Sequence, residues 1–215
     1  MALRVSKSLI AGSAGAIEVA VQNPERAARA VAVIAHPHPL FGGSMDNKVV
    51  TSIARAFVEC GAATFRFNFR GVGASEGKHD EGRGEIDDMR VVISHARTMN
   101  PGLPLWLSGF SFGGAVALAA GFEAGCEELI LVAPSIKRLA QWHVAPPDAG
   151  VPESTLIIHG ERDETIPLVD SIEWARPREV PVMLVPGADH FFHQRLHIIR
   201  RIVTRWLRPG ASMQR

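Results

Sequence analysis

Two cysteines, Cys60 and Cys126, are all that the 215 residues contain. That is too few for a disulfide framework, and both lie in apolar segments where a thiol behaves as a small hydrophobe, so a reducing, cytoplasmic setting is expected. An excess of charge of one sign is missing as well. With 23 Lys and Arg against 22 Asp and Glu, no global field draws in nucleic acid or an anionic membrane surface. No stretch reaches the roughly twenty continuous apolar residues that span a bilayer. At the N-terminus Arg4 and Lys7 precede only a short Leu9-Ile10-Ala11 patch, which Ser and Gly interrupt before a signal-peptide core develops. Internal repeats and low-complexity segments are absent too. What remains is an ordinary globular composition, 47% hydrophobic and 21% charged. One domain over residues 1–215 is expected, monomeric or homodimeric, whose partner is a small neutral or mildly charged molecule.

Hydrophobic patterning then gives the order of elements. Residues 6–22 alternate as two short strands broken between Gly12 and Gly15 and closed by Pro24, which predicts an antiparallel edge. Ala30 to Ala35 is a continuous small and β-branched run, the pattern of a strand covered on both faces. Asp46 is the expected N-cap of a helix with Val49, Val50, Ile53, Ala54 and Phe57 on one stripe, closed by Gly61. Strand 63–69, a Gly-rich loop, helix 85–99, strand 105–107 and helix 112–122 follow. Strands 129–133 and 155–159, helix 168–175, strand 180–185 and a final helix 191–207 complete the series. Such alternation predicts an α/β fold: a mostly parallel, twisted sheet of about eight strands with helices on both faces. Between residues 133 and 155, where Pro146 and Pro147 lie, there is room for a turn or short helix and not for a lid domain.

The strongest local signal is Gly109-Phe110-Ser111-Phe112-Gly113, a G-x-S-x-G directly after the strand LPLWL and directly before the helix AVALAA. A serine on such a strand-to-helix elbow needs neighbours without bulk, and Gly109 and Gly113 supply that. Phe112 then offers its backbone N–H at a helix N-terminus to a developing oxyanion. A hydroxyl is a weak nucleophile and requires a base and an orienting acid. Asp163 follows strand 155–159 and His190 follows strand 180–185, each just beyond a strand end. Glu161, Glu164 and Asp189 are the rival acids; Asp189 is poorly placed to reach the ring of its own neighbour. Phe41, Phe110 and Phe191 are candidates for an apolar substrate pocket, although Phe is more often core.

With these motifs in view the chain resembles the α/β-hydrolase superfamily from about Ala16 to Leu207. H-G-x-x-D-x-x-[VI]-P at His159 to Pro167 is similar to the family's acid loop, and G-x-x-H at Gly187 to His190 to its histidine loop. HPHPLFGGSMDNKVV from His36 and FNFRGVGASEG from Phe67 resemble compact, lidless bacterial hydrolases related to dienelactone hydrolases and serine aminopeptidases. The resemblance implies a Ser111-His190-Asp163 triad that hydrolyses an ester, thioester or amide through an acyl-enzyme. A carboxylesterase acting on small acyl substrates without a cofactor is the leading expectation. An acyltransferase or aminopeptidase on the same triad, or a binding protein that keeps the fold without the chemistry, are the alternatives.

The HPHPLFGG loop leaves its strand where a second oxyanion donor is needed. Pro37 and Pro39 have no N–H, so His38, Leu40 and Phe41 remain, and the resemblance to dienelactone hydrolases favours Leu40. Two rival chemistries read poorly. His193 and His197 share helical spacing, but no H-E-x-x-H or carboxylate ligand accompanies them, so no metal is expected. Gly71, Gly73 and Gly77 mimic a dinucleotide fingerprint, yet Glu76 stands where the third glycine belongs. Arg70 and these glycines are expected to shape the rim beside the nucleophile.

Overall fold

A computed structural model of the chain describes residues 5–142 and 151–208. Pro146, Pro147 and Arg4 fall outside the described residues. Eight strands form one sheet in the order β1-β2-β4-β3-β5-β6-β7-β8. These are β1 (Val5–Gly12), β2 (Gly15–Gln22), β3 (Ala30–Ala35), β4 (Ala62–Phe67), β5 (Leu105–Phe110), β6 (Glu128–Val132), β7 (Ser154–Gly160) and β8 (Val182–Val185). β1 pairs with β2 and β2 with β4 in antiparallel fashion, and every other pairing is parallel. The parallel part follows from helical crossovers, which return each strand in the same direction.

Helices α1 (Lys48–Glu59) and α6 (Leu196–Trp206) cover one face, and α2 (Arg83–Met99), α3 (Phe112–Ala124) and α5 (Leu168–Ala175) the other. β3 shows why the sequence specifies two covered faces. Val31, Val33 and Ala35 enter the core under α2 and α3, whereas Ala30, Ala32 and Ile34 enter the core under α1, and all six are fully buried. α3 is built of small and apolar residues on every side because it is buried all round from Phe112 to Gly121. Between β6 and β7 the described residues hold one short helix, α4 (Arg138–Gln141). Among the described residues, no helix is long and apolar enough to cross a membrane.

Of the element boundaries that differ from expectation, three have a specific physical cause. Asn47, not Asp46, caps α1: Asn47 Oδ1 accepts from the Val49 amide at 2.9 Å, while Asp46 is drawn away by Lys7 at 3.1 Å and Arg66 at 3.0 Å. The last strand begins at Val182 because the Val180 amide turns back to Ala175 O and Pro181 has no amide to give. The final helix begins at Leu196 and not at residue 191. Phe192 and Gln194 have φ of 53° and 59°, which no right-handed helix contains. His193 therefore does not share a helix face with His197; it pairs with Asp189 at 2.6 Å.

Candidate active site

The carboxyl ends of the parallel strands meet on one edge of the sheet, and six of the loops that leave it build the site. β5 runs through Phe110 into Ser111, whose φ of 56° and ψ of −117° lie outside the regions that a residue with a Cβ adopts freely. The elbow is possible because its flanks carry no side chains: a Cβ on Gly109 would lie 2.0 Å from Gly113 O, and one on Gly113 would lie 2.3 Å from His36 O. The strained turn is held from both sides. Ser111 N–H donates to Val132 O at 2.9 Å, and the Ser135 amide donates to Ser111 O at 3.0 Å.

The loops after β7 and β8 are packed together in the same way. A Cβ on Gly160 would lie 2.6 Å from Ala188 O, and the Arg162 amide donates to that oxygen at 2.8 Å. This contact sets Asp163 beside His190. His190 Nδ1 lies 2.7 Å from Asp163 Oδ2, and His190 Nε2 lies 3.0 Å from Ser111 Oγ. Asp163 Oδ1 accepts the amides of Thr165 and Ile166 at 2.9 and 2.8 Å. Burial alone would raise the Asp163 carboxyl, but the hydrogen bonds of His159, His190 and the Ile166 amide outweigh it and hold it well below the usual carboxylate range. An ionised Asp163 accepts Nδ1–H, which leaves Nε2 with its lone pair towards the serine. Asp189 points elsewhere, onto His193, and Glu161 accepts from the Gly187 amide.

A second wall rises over Phe112. His36, fully buried, donates Nδ1–H to Pro37 O at 2.6 Å and accepts the Phe69 amide on Nε2 at 3.0 Å, which fixes the loop after β3 to the end of β4. His38 stacks its ring 4.8 Å from Phe112 and 5.0 Å from His79. His79 is itself held by the fully buried Glu85 at 2.8 Å. The loop between β4 and α2 is pinned onto β2 through Glu76, whose backbone and side chain both bond Ala16. Arg70 does not form the rim. Its guanidinium lies against Asp88 of α2 at 2.8 Å, and it is His79 that reaches the site from this loop.

The family model described as serine aminopeptidase, S33, matches residues 26–150 of this chain. The chain belongs to that family of α/β hydrolases. The hydrolase is similar along its length to two solved structures. One is a lidless α/β serine hydrolase from Xanthomonas campestris, 35% identical, with 95% of this chain and 94% of that one covered and a TM-score of 0.87. The other is an α/β serine hydrolase homologue from Coxiella burnetii, 36% identical over 93% of this chain and 96% of that one, with a TM-score of 0.83. An uncharacterised protein of Rickettsia prowazekii is 29% identical over 82% of this chain and 78% of its own length.

Within the hydrolase, the residues expected at the site have unequal places. Ser111, Asp163 and His190 are within hydrogen-bonding distance in series, and Phe112 begins α3 with an amide that has no intrahelical acceptor. Leu40 requires a correction: its amide is directed at His38 Nδ1 at 3.3 Å, and the Phe41 amide donates to His38 O at 3.1 Å. Of the three donors that the loop offers, only the His38 amide has no acceptor among the described residues. Phe110 also requires one. It is fully buried beneath the His190 ring, 4.9 Å from it, and supports the imidazole without facing a pocket. Phe191 is half exposed and lines a cavity of about 450 Å³ beside His190. Phe41 is 82% exposed and touches the His38 ring. Ser135, His79 and His159 were not singled out by sequence. Ser135 follows a strand that neighbours β5, and that adjacency is the signal that points to it.

Proposed function

We propose that this hydrolase cleaves an ester, thioester or amide through an acyl-enzyme on Ser111, and that it is a carboxylesterase acting on small acyl substrates. The observation that carries the reading is the continuous relay from Ser111 Oγ to His190 at 3.0 Å and from His190 to Asp163 at 2.7 Å. His190 Nε2 takes the hydroxyl proton as Ser111 attacks the carbonyl, and the same imidazolium gives it to the leaving group. Water activated by His190 then releases the acid. Asp163 keeps the imidazole in the required tautomer, and the amides of Phe112 and His38 face the tetrahedral oxyanion. The three side chains and two amides supply nucleophile, base and charge stabilisation without a cofactor. Two unpaired cysteines, Cys126 with its thiol pushed up to about 12 by burial, suit a reducing cytoplasm.

Ser111→Ala is expected to lower turnover of the preferred p-nitrophenyl ester by about 10⁴-fold or more, and to abolish labelling by a fluorophosphonate probe. Wild-type activity in that variant would remove Ser111 from the mechanism. A chain-length series of p-nitrophenyl esters, run beside thioesters and aminoacyl amides, assigns the bond that is cleaved.

A further inference from the structure

Beside the relay lies a cavity of about 350 Å³ lined by Ser135, Lys137, Arg138, Gln141, Ile166 and Asp170. Two of these residues touch the relay itself. Ser135 Oγ is 3.5 Å from Ser111 Oγ, and the Ile166 amide donates to Asp163 Oδ1 at 2.8 Å. A group lodged here is within a few bonds of a carbonyl held at Ser111. Among the described residues, Ile166 is the one large apolar side chain in the lining, and the rest are polar or charged.

Among the described residues, charge in the cavity is not balanced. Two cations face one carboxylate, and that carboxylate, Asp170, is nearly buried and engaged by Lys137 Nζ at 2.6 Å. Arg138 remains, half-buried, and among the described residues no carboxylate lies within ion-pair distance of it. Its backbone is firmly set: the Arg138 amide donates to Ser135 O at 3.0 Å, and Leu139 and Trp142 anchor α4 in the core, with Trp142 against Phe112. The guanidinium acts on the oxyanion wall as well. Burial first, and then electrostatic repulsion from Arg138 and His79, push the His38 imidazole down to about 4.

We propose that this cavity is a subsite for a carboxylate carried by the substrate, with Arg138 as the residue that selects it. A planar guanidinium matches a carboxylate by two parallel hydrogen bonds, and a partly buried one gains more from such a partner than an exposed one. The inference rests on Ser111 being the nucleophile and narrows the substrate to an ester, thioester or amide with a free carboxylate near the scissile bond.

The test uses two pairs of esters. Mono-p-nitrophenyl adipate is compared with its methyl-capped neutral analogue, and 4-acetoxybenzoate with its methyl ester, on wild type, Arg138→Gln and Arg138→Lys. The charged member of at least one pair is expected to be preferred at least tenfold in kcat/KM, through KM. Arg138→Gln should lower that ratio at least tenfold, and Arg138→Lys should keep part of it. Because the ratio is taken within one protein, a general loss from a displaced α4 cancels. Ratios near one in wild type, or a ratio unchanged in Arg138→Gln, overturn the subsite. Adipate binding by calorimetry, expected to weaken at least tenfold in Arg138→Gln, needs no turnover. Adipate selectivity without hydrolysis of any ester keeps the subsite and removes Ser111 as nucleophile; equal hydrolysis of both members without adipate binding does the reverse.

Discussion

Two amides in one loop have different uses, although they lie two residues apart. Leu40 N–H meets the His38 ring, whereas His38 N–H has no partner among the described residues, at a residue whose φ of −52° is one that proline also adopts. This permits a backbone donor to be deleted by substitution. His38→Pro removes both the amide hydrogen and the ring; His38→Ala removes the ring alone. Relative to His38→Ala, His38→Pro is expected to lose about 10²- to 10³-fold in kcat, the usual cost of one oxyanion donor. Equal kcat in the two variants would return the role to another amide. The positions of Ser111, Asp163 and His190, which the fold brings into hydrogen-bonding series, were legible residue by residue because each follows a strand end in a motif with its own sequence signature. Which loop amide stays free was not, because engagement of the others depends on a side chain folding back, and no spacing reports that. Ser135 is silent for a related reason: it reaches Ser111 through the topology of a loop that carries no motif.

The nucleophile elbow is an element whose two glycines do steric work, and α3 contains a third glycine that does not. A Cβ on Gly113 would meet backbone oxygens of Ala35 and His36 at 2.6 and 2.3 Å, neither of which can yield without moving β3. A Cβ on Gly121 would meet Cys126 Sγ and Leu107 Cδ1 at 3.5 Å, which is ordinary contact. The same substitution therefore has opposite signs eight residues apart. Gly113→Ala is expected to cost about 2 kcal/mol or more by overpacking and to abolish activity. Gly121→Ala is expected to gain about 0.5–1 kcal/mol from helix propensity. Urea denaturation midpoints read both. The same scale shows where sequence reading worked and where it stopped. β3 and α3 were legible because burial on all sides leaves a continuous apolar run. The start of α6 was not, because Leu196 and Ile198 extend an apolar pattern that Phe191 and Phe192 begin, while left-handed backbone at Phe192 and Gln194 interrupts the helix that the pattern predicts. Asp46 misled in another way: it is an ordinary capping residue, and Lys7 and Arg66, distant in sequence, hold it off the helix end.

Across the whole molecule, the sheet order sets β3 between β4 and β5, so the loop that offers the His38 amide lies over both the nucleophile and the end of β4. His36 is the joint between them. It is fully buried, it donates to Pro37 O and accepts from the Phe69 amide, and it must be neutral to do both. Burial is the main cause that pushes its imidazole down to about 4, against the hydrogen bond to the Pro37 carbonyl that acts the other way and His38 that adds to the fall. In the unfolded chain the same imidazole titrates near 6.5. The native state therefore binds fewer protons than the unfolded one between these values, so stability is full above about pH 6.5, declines as pH falls, and stops declining near pH 4. The full loss is about 3 kcal/mol, of which about 2 kcal/mol has gone by pH 5. Asp163 does not contribute in that window, because its carboxyl is depressed below the usual range and loses stability only under more acid conditions. Denaturation of wild type at pH 7.5 and pH 5 should show at least that difference, because the His38 imidazole, also pushed down to about 4, adds a loss of the same sign in the same window. His36→Gln, less stable at pH 7.5 because the imidazole joint is gone, should show a pH dependence smaller by about 2 kcal/mol. An equal pH loss in the variant would assign the acid sensitivity to another histidine, and would mean that the oxyanion loop is anchored by packing around Phe69 and Phe112 without dependence on the protonation state of His36.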